Sequence, residues 1–363
     1  MTSALLEIKD LEVGYRTQRG HLTAVDKVSF DVQPGETLGL VGESGCGKSS
    51  LGKAIMRLVE PQGGSISIDG IDITHMSARE LRPHRHRFQM VFQDPGGSLD
   101  PRHRIGKLIE DPLAFHRVGN AAERRTRVME LMEKVGLRPD VIDRLPHEFS
   151  GGQRQRIAIA RALALDPELI VCDEPVSALD VSLQAQILNL LGDLQRERGM
   201  AYLFISHDLS VVQHLADRVA VMYLGQIVEI APRTELWRRP AHPYTQALIE
   251  AVPVMNPRLS RIADKDPLPG DLPSPFAPPK GCRFNTRCPH VMDVCRSVAP
   301  ALRTVAPGHA VSCHLHSRDQ PLAMPTPNHA SGDPGWQPIA MPHGSISGSD
   351  THSKPNTLVT ESA

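Results

Sequence analysis

Up to Ile68, apolar and polar positions alternate in short runs. Leu6-Glu7-Ile8, Leu11-Glu12-Val13, Val28-Ser29-Phe30-Asp31-Val32 and Ile66-Ser67-Ile68 each put every second residue on one face. That is the period of a strand with one side buried. Later the pattern changes. Leu169-Ile170-Val171-Cys172 and Tyr202-Leu203-Phe204-Ile205 are apolar without alternation, as strands covered on both faces of a parallel sheet are. Between these two kinds of strand, residues 121–136 and 153–164 carry helical spacing. The pattern predicts an α/β fold: an antiparallel β subdomain, a parallel core sheet, and a helical insert over about residues 82–150.

Three short motifs add chemistry to these elements. The apolar run Thr37-Leu38-Gly39-Leu40-Val41 feeds into Gly42-Glu43-Ser44-Gly45-Cys46-Gly47-Lys48-Ser49, and Ser50-Leu51-Gly52-Lys53-Ala54-Ile55-Met56 continues as a helix. Strand, glycine loop and helix in that order form a phosphate-binding P-loop pattern. Backbone N–H groups from Gly42 to Ser50 and the Lys48 ammonium would face phosphate oxygens, and the Ser49 hydroxyl suits a magnesium ion. The buried-type strand 169–172 ends in Asp173-Glu174. Asp173 suits the same metal, opposite Ser49, and Glu174 is placed to polarise an attacking water, the parts that phosphoryl transfer needs. Ser150-Gly151-Gly152-Gln153 opens the helix at 153–164 and makes a second anion-type site. Two such sites at separate places in one chain suggest a nucleotide held between two subunits.

With these motifs in this order, the chain resembles an ATP-binding-cassette (ABC) ATPase over residues 15–208. The signature matches Ser150-Gly151-Gly152-Gln153, with Phe149 where leucine is commoner. Ser177-Ala178-Leu179-Asp180 resembles the loop that crosses the dimer interface, and Ile205-Ser206-His207-Asp208 the switch-histidine segment. The resemblance implies that His207 contacts the γ-phosphate. It also implies that Gln93 links the helical insert to magnesium and the attacking water, and that Tyr15 stacks on adenine. A narrower resemblance, to the F-type ATPases of bacterial dipeptide/oligopeptide importers, rests on residues 93–102 (QDPGGSLDPR), residues 147–156 (HEFSGGQRQR), His242-Pro243-Tyr244-Thr245-Gln246-Ala247-Leu248 and Leu272-Pro273-Ser274-Pro275. It implies ATP and Mg2+, a D-type ATPase subunit as heterodimer partner, two membrane permease subunits and an extracytoplasmic solute-binding protein. The place it implies is the cytoplasmic face of the bacterial inner membrane. The alternative is a soluble ABC ATPase acting on nucleic acid or ribosomes, but one cassette, no heptad run and no basic excess speak against it.

Composition narrows the picture further. The formal net charge of −1 gives no argument for a nucleic-acid partner, and the basic cluster from Arg79 to Arg87 reads as a solvated face. No apolar run is long enough to span a bilayer. The first residues lack a signal-peptide pattern, so a cytosolic protein without disulfides is expected. From Pro232 to His316 there are fourteen prolines and four of the six cysteines, which predicts a loop-rich module at 241–316 after an ATPase domain at 1–240. Residues 317–363 hold one aromatic, Trp336, and are expected to be disordered. Cys282, Cys288, Cys295 and Cys313 are separated by five, six and seventeen residues, unlike the paired spacing of zinc ribbons. Four thiolates suit structural zinc or an iron–sulfur cluster. The importer resemblance favours a [4Fe–4S] cluster, with zinc as the alternative.

Overall fold

The computed structural model describes residues 3–18, 20–252 and 272–316. The chain begins with β1 (Leu6–Thr17), β2 (Gly20–Val32), β3 (Thr37–Val41), α1 (Lys48–Ile55), β4 (Gly63–Ile68) and β5 (Ile71–Asp72). Next come α2 (Ala78–Leu81), β6 (Phe88–Val91), α3 (Pro95–Ser98), α4 (Ile105–Phe115), α5 (Ala121–Lys134) and α6 (Gly151–Leu163). The core closes with β7 (Leu169–Asp173), α7 (Val181–Arg198), β8 (Ala201–Ser206), α8 (Leu209–Leu215), β9 (Arg218–Tyr223) and β10 (Gln226–Pro232). Then follow α9 (Arg233–Arg238), α10 (Pro243–Glu250), β11 (Arg303–Ala306) and β12 (His309–Val311).

Among the described residues the strands form two sheets. The first is antiparallel, in the order β2-β1-β4-β5. The second has eight strands in the order β11-β12-β10-β9-β3-β8-β7-β6, in which β9, β3, β8, β7 and β6 run parallel to one another and β9 pairs antiparallel with β10. Every residue of β3, β7 and β8 is buried, as their unalternating apolar runs require. Leu169 and Val171 of β7 face a core shared with α1 and the antiparallel sheet. Ile170 and Cys172 face the other core, shared with α4–α8. Register brings the strand ends level: Val41 lies beside Ser206, and Asp173 beside Ile205. The loop after β3 and the residues after β7 and β8 therefore meet at one edge, where open α/β sheets place their ligands.

Three features differ from the sequence expectation. The alternating segments at 6–8 and 11–13 are one strand, broken by a register shift between Ile8 and Leu11 where Asp10 turns left-handed (φ 46°). The stretch beginning at 82 is first a 3-10 turn (Arg82–Arg87) and then β6, which pairs parallel with β7. The helical layer starts only at α3, because four residues of β6 are too few for periodicity to reveal. The basic cluster is partly engaged: Arg87 pairs with Asp69 and Glu168 at 2.7 and 2.8 Å, and Arg85 donates to the Met56 carbonyl.

The C-terminal stretch is not all loop. β12 pairs with β10 and extends the main sheet. The fully buried Glu229 of β10 accepts from the Ala241 and His242 amides (2.7 and 2.8 Å) and lies 2.7 Å from His309 Nε2 of β12. The tail at 317–363 lies outside the described residues.

Candidate functional site

The loop Gly42–Gly47 leaves β3 and turns into α1 in a space that side chains cannot share. A Cβ on Gly47 (φ 111°) would sit 2.1 Å from the Ala24 carbonyl oxygen, and one on Gly42 2.1 Å from that of Met222. Lys48 is 4 % exposed and donates from Nζ to the Gly42 and Glu43 carbonyls at 2.8 and 3.0 Å. Its charge is thereby held across the mouth of the loop. Ser49 Oγ donates to Asp173 Oδ1 at 2.8 Å. Burial pushes the Asp173 carboxyl above its usual range; the Ser49 hydrogen bond opposes this, and the neighbouring Glu174 adds to it.

Glu174 is the hub. Its backbone is left-handed (φ 46°), an uncommon state for a side-chain-bearing residue. Its amide donates to the Ile205 carbonyl at 3.0 Å, which ties the bend to β8. Gln93 Nε2 donates to Glu174 Oε2 at 3.0 Å, and His207 Nδ1 lies 3.2 Å from the same oxygen. Three residues predicted for the reaction, from three strand ends, thus meet at one carboxylate. A cavity of about 320 Å³ beside them is lined by Tyr15, Ser44, Gly45, Cys46, Gly47, Lys48, Ser49, Ser50, Gln93 and Glu174.

The remaining predicted residues lie elsewhere. Ser150 and Gln153 cap α6 reciprocally, at 3.0 and 3.3 Å. Gly151 lines a separate cavity of about 190 Å³, and Gly152 is buried against Leu183. Asp180 caps α7 by accepting from the Leu183 amide at 2.9 Å. None of these five residues lines the cavity at the loop. Thr23, Ala24, Gly225 and Pro275 do line it, and sequence reasoning missed them. They carry no chemical signature and reach the cavity only through tertiary packing.

The expected iron–sulfur cluster is corrected. Among the described residues no group of three or more His, Cys, Asp or Glu side chains is arranged to hold a metal ion. Cys282 and Cys288 pack instead against the apolar core, and the Cys282 amide is tied to the Cys295 carbonyl at 2.8 Å. Burial pushes the Cys282 thiol up to about 11 and the Cys313 thiol up to about 12. Cys46 and Cys172 are buried core residues, as expected.

The loop fits a nucleotide phosphate chain. It has glycines where a Cβ would clash, a buried lysine, and a hydroxyl–carboxylate pair of hard oxygen donors suited to Mg2+. Residues 25–177 match the ABC transporter family model, and residues 228–295 match the oligopeptide/dipeptide transporter C-terminal region. The oligopeptide transport ATP-binding protein AppF of Bacillus subtilis is 51 % identical over 321 residues, covering 86 % of this chain and 98 % of that protein. A peptide import ATP-binding protein of Brucella ovis is 52 % identical over 309 residues, covering 85 % and 97 %. The chain belongs to the ABC transporter ATP-binding proteins. As an ABC ATPase it is an ATP-hydrolysing transporter subunit that works with ATP and Mg2+. Its cassette superposes on a dimeric post-hydrolysis state of the ATP-binding cassette MJ0796 bound to ADP and Pi. That comparison has a TM-score of 0.59 and 30 % identity, and covers 63 % of this chain and 98 % of that one. Among the described residues no helix of this ABC protein is long and apolar enough to cross a membrane.

Proposed function

We propose that this chain powers the uptake of di- or oligopeptides, or related solutes, through a membrane importer. The observation that carries the reading is identity of about half with peptide-transport ATP-binding proteins along nearly their whole length, C-terminal region included. The partners are two permease subunits, an extracytoplasmic solute-binding protein and a D-type ATPase subunit, and the chain sits at the cytoplasmic face of the inner membrane. It is organised as a cassette at 1–240, a C-terminal module at 241–316 and a tail at 317–363.

In this reading Tyr15 stacks on adenine, and the amides from Gly42 to Ser50 with Lys48 hold the phosphates. Ser49, Asp173 and Gln93 hold Mg2+, which when bound neutralises developing phosphate charge. Glu174 takes the proton of the attacking water, and Gln93 and His207 orient its carboxylate. Ser150, Gly151, Gly152, Gln153 and Asp180 complete the partner's site, because within one chain they do not reach the loop. The test is reconstitution with two membrane permease subunits and a solute-binding protein from the same organism. ATP-dependent uptake of labelled peptides supports the proposal. Permeases that fail to co-purify, with ATPase stimulated by nucleic acid or ribosomes, would overturn it.

A further inference from the structure

A turn in the C-terminal module, residues 282–288, touches the phosphate loop from outside every cassette motif. Arg287 is buried, and its guanidinium meets Glu43 twice: Nη1 to Oε2 at 2.8 Å and Nη2 to Oε1 at 3.1 Å. Glu43 is the second residue of the loop. Its amide donates to Tyr244 Oη at 2.9 Å, and its carbonyl accepts from Lys48 Nζ. Tyr244 is itself locked, fully buried, with its ring 4.7 Å from Tyr223 and 5.5 Å from Phe284 between centroids. The side chain and amide of Glu43 are thus held by the module, while its carbonyl holds the loop's own lysine.

The same turn reaches the far end of the loop. Arg283 pairs with Asp26 and donates to the Leu224 carbonyl. The next residue, Gly225, donates to the Cys46 carbonyl at 2.8 Å and accepts from the Asp26 amide at 2.9 Å. Two arginines four positions apart therefore brace the loop at Glu43 and, through Gly225, at Cys46. A loop whose amides must converge on phosphate binds more tightly when its shape is fixed beforehand.

We infer that Arg287 and Arg283 are positioning residues for the nucleotide: the C-terminal module sets the shape of the phosphate loop, so the state of that module is read out as affinity for Mg-ATP. The inference rests on the nucleotide reading of the loop. Arginine suits the role because its planar fork meets both carboxylate oxygens, which a lysine cannot do.

The test is a Mg-ATP titration of the full chain, read by calorimetry, and wild type comes first. If wild type does not bind, the nucleotide reading itself fails, separately from this inference. Where wild type binds, Arg287→Gln and Glu43→Gln should each weaken binding about tenfold, or about 1.4 kcal/mol. The double variant should bind no more weakly than either single one, and Arg287→Lys should not restore affinity. In the reconstituted importer the loss should fall on KM more than on kcat, which a merely structural role would not produce. Wild-type affinity in both single variants, or effects that simply add, would overturn the inference. If Arg287→Gln fails to fold, Glu43→Gln, which leaves the module's own residues intact, decides by the same criterion.

Discussion

At the residue scale the site turns on one bent glutamate. Glu174 keeps a left-handed backbone that costs energy, of order 1–3 kcal/mol at such positions. The strain aims its carboxylate at Gln93 and His207 rather than along β7. Glu174→Gln preserves shape but cannot accept a proton. It should keep Mg-ATP affinity and lose turnover by about 10²–10⁴-fold, the usual contribution of a positioned base, measured as steady-state phosphate release. Lys48→Ala should do the reverse first: a binding titration should show weakened affinity, because the deleted charge faces the phosphates. The loop and Asp173-Glu174 were legible in sequence because their chemistry is local, a few residues at the end of an apolar strand. The bond from Gln93 to Glu174 spans 81 residues of chain, so only resemblance could suggest it. Glu43 was legible as a loop residue, but its grip by Arg287, 244 positions on, was not.

At the element scale, long patterned elements were predictable and short ones were not. The strands β7 and β8 announce themselves by unbroken burial, whereas β6, β11 and β12 are three or four residues each and are stabilised by pairing with a sheet that already exists. The start of α10 shows how the module depends on such contacts. His242 is buried, packs against Phe284 with centroids 5.6 Å apart and rings tilted by 58°, and accepts at Nδ1 from the Tyr244 amide at 3.0 Å. Burial lowers its pKa to about 4, with Glu229 opposing and His316 assisting. The unfolded chain protonates this histidine near 6.5, so between about 6.5 and 4 the unfolded state binds the extra proton and stability falls as pH falls. At pH 5 the loss from this group is on the order of 2 kcal/mol relative to pH 7. His242→Asn keeps a side-chain acceptor favoured at helix starts but cannot titrate. Thermal melts should show a smaller drop between pH 7 and pH 5 for this variant than for wild type. An equal drop in both would show that other groups carry the acid sensitivity.

At the scale of the whole molecule, the predicted site residues fall into two separated groups. The loop, Asp173, Glu174, Gln93 and His207 sit together, while the start of α6 opens on a separate cavity. A helix N-terminus with a serine favours an anion, yet within this chain no residue of α6 lines the cavity at the loop. The proposed reading, in which a second ATPase subunit supplies the other half, accounts for this separation; the cassette that this chain superposes on is dimeric. The isolated chain should therefore bind Mg-ATP and turn it over slowly, and turnover should rise when the proposed D-type partner and permeases are added. Ser150→Arg separates the halves. It puts a bulky cation where, in the proposed shared site, a small hydroxyl would face phosphate, and it removes the cap at Gln153, which costs about 1 kcal/mol locally. Nucleotide binding at this chain's own loop should survive, because α6 does not line that cavity. Hydrolysis in the assembled complex should fall by about 10²-fold or more, as when a preorganised donor to developing charge is lost. Full turnover by a preparation shown to be monomeric by light scattering would contradict the shared site, as would wild-type rates for the Ser150→Arg complex.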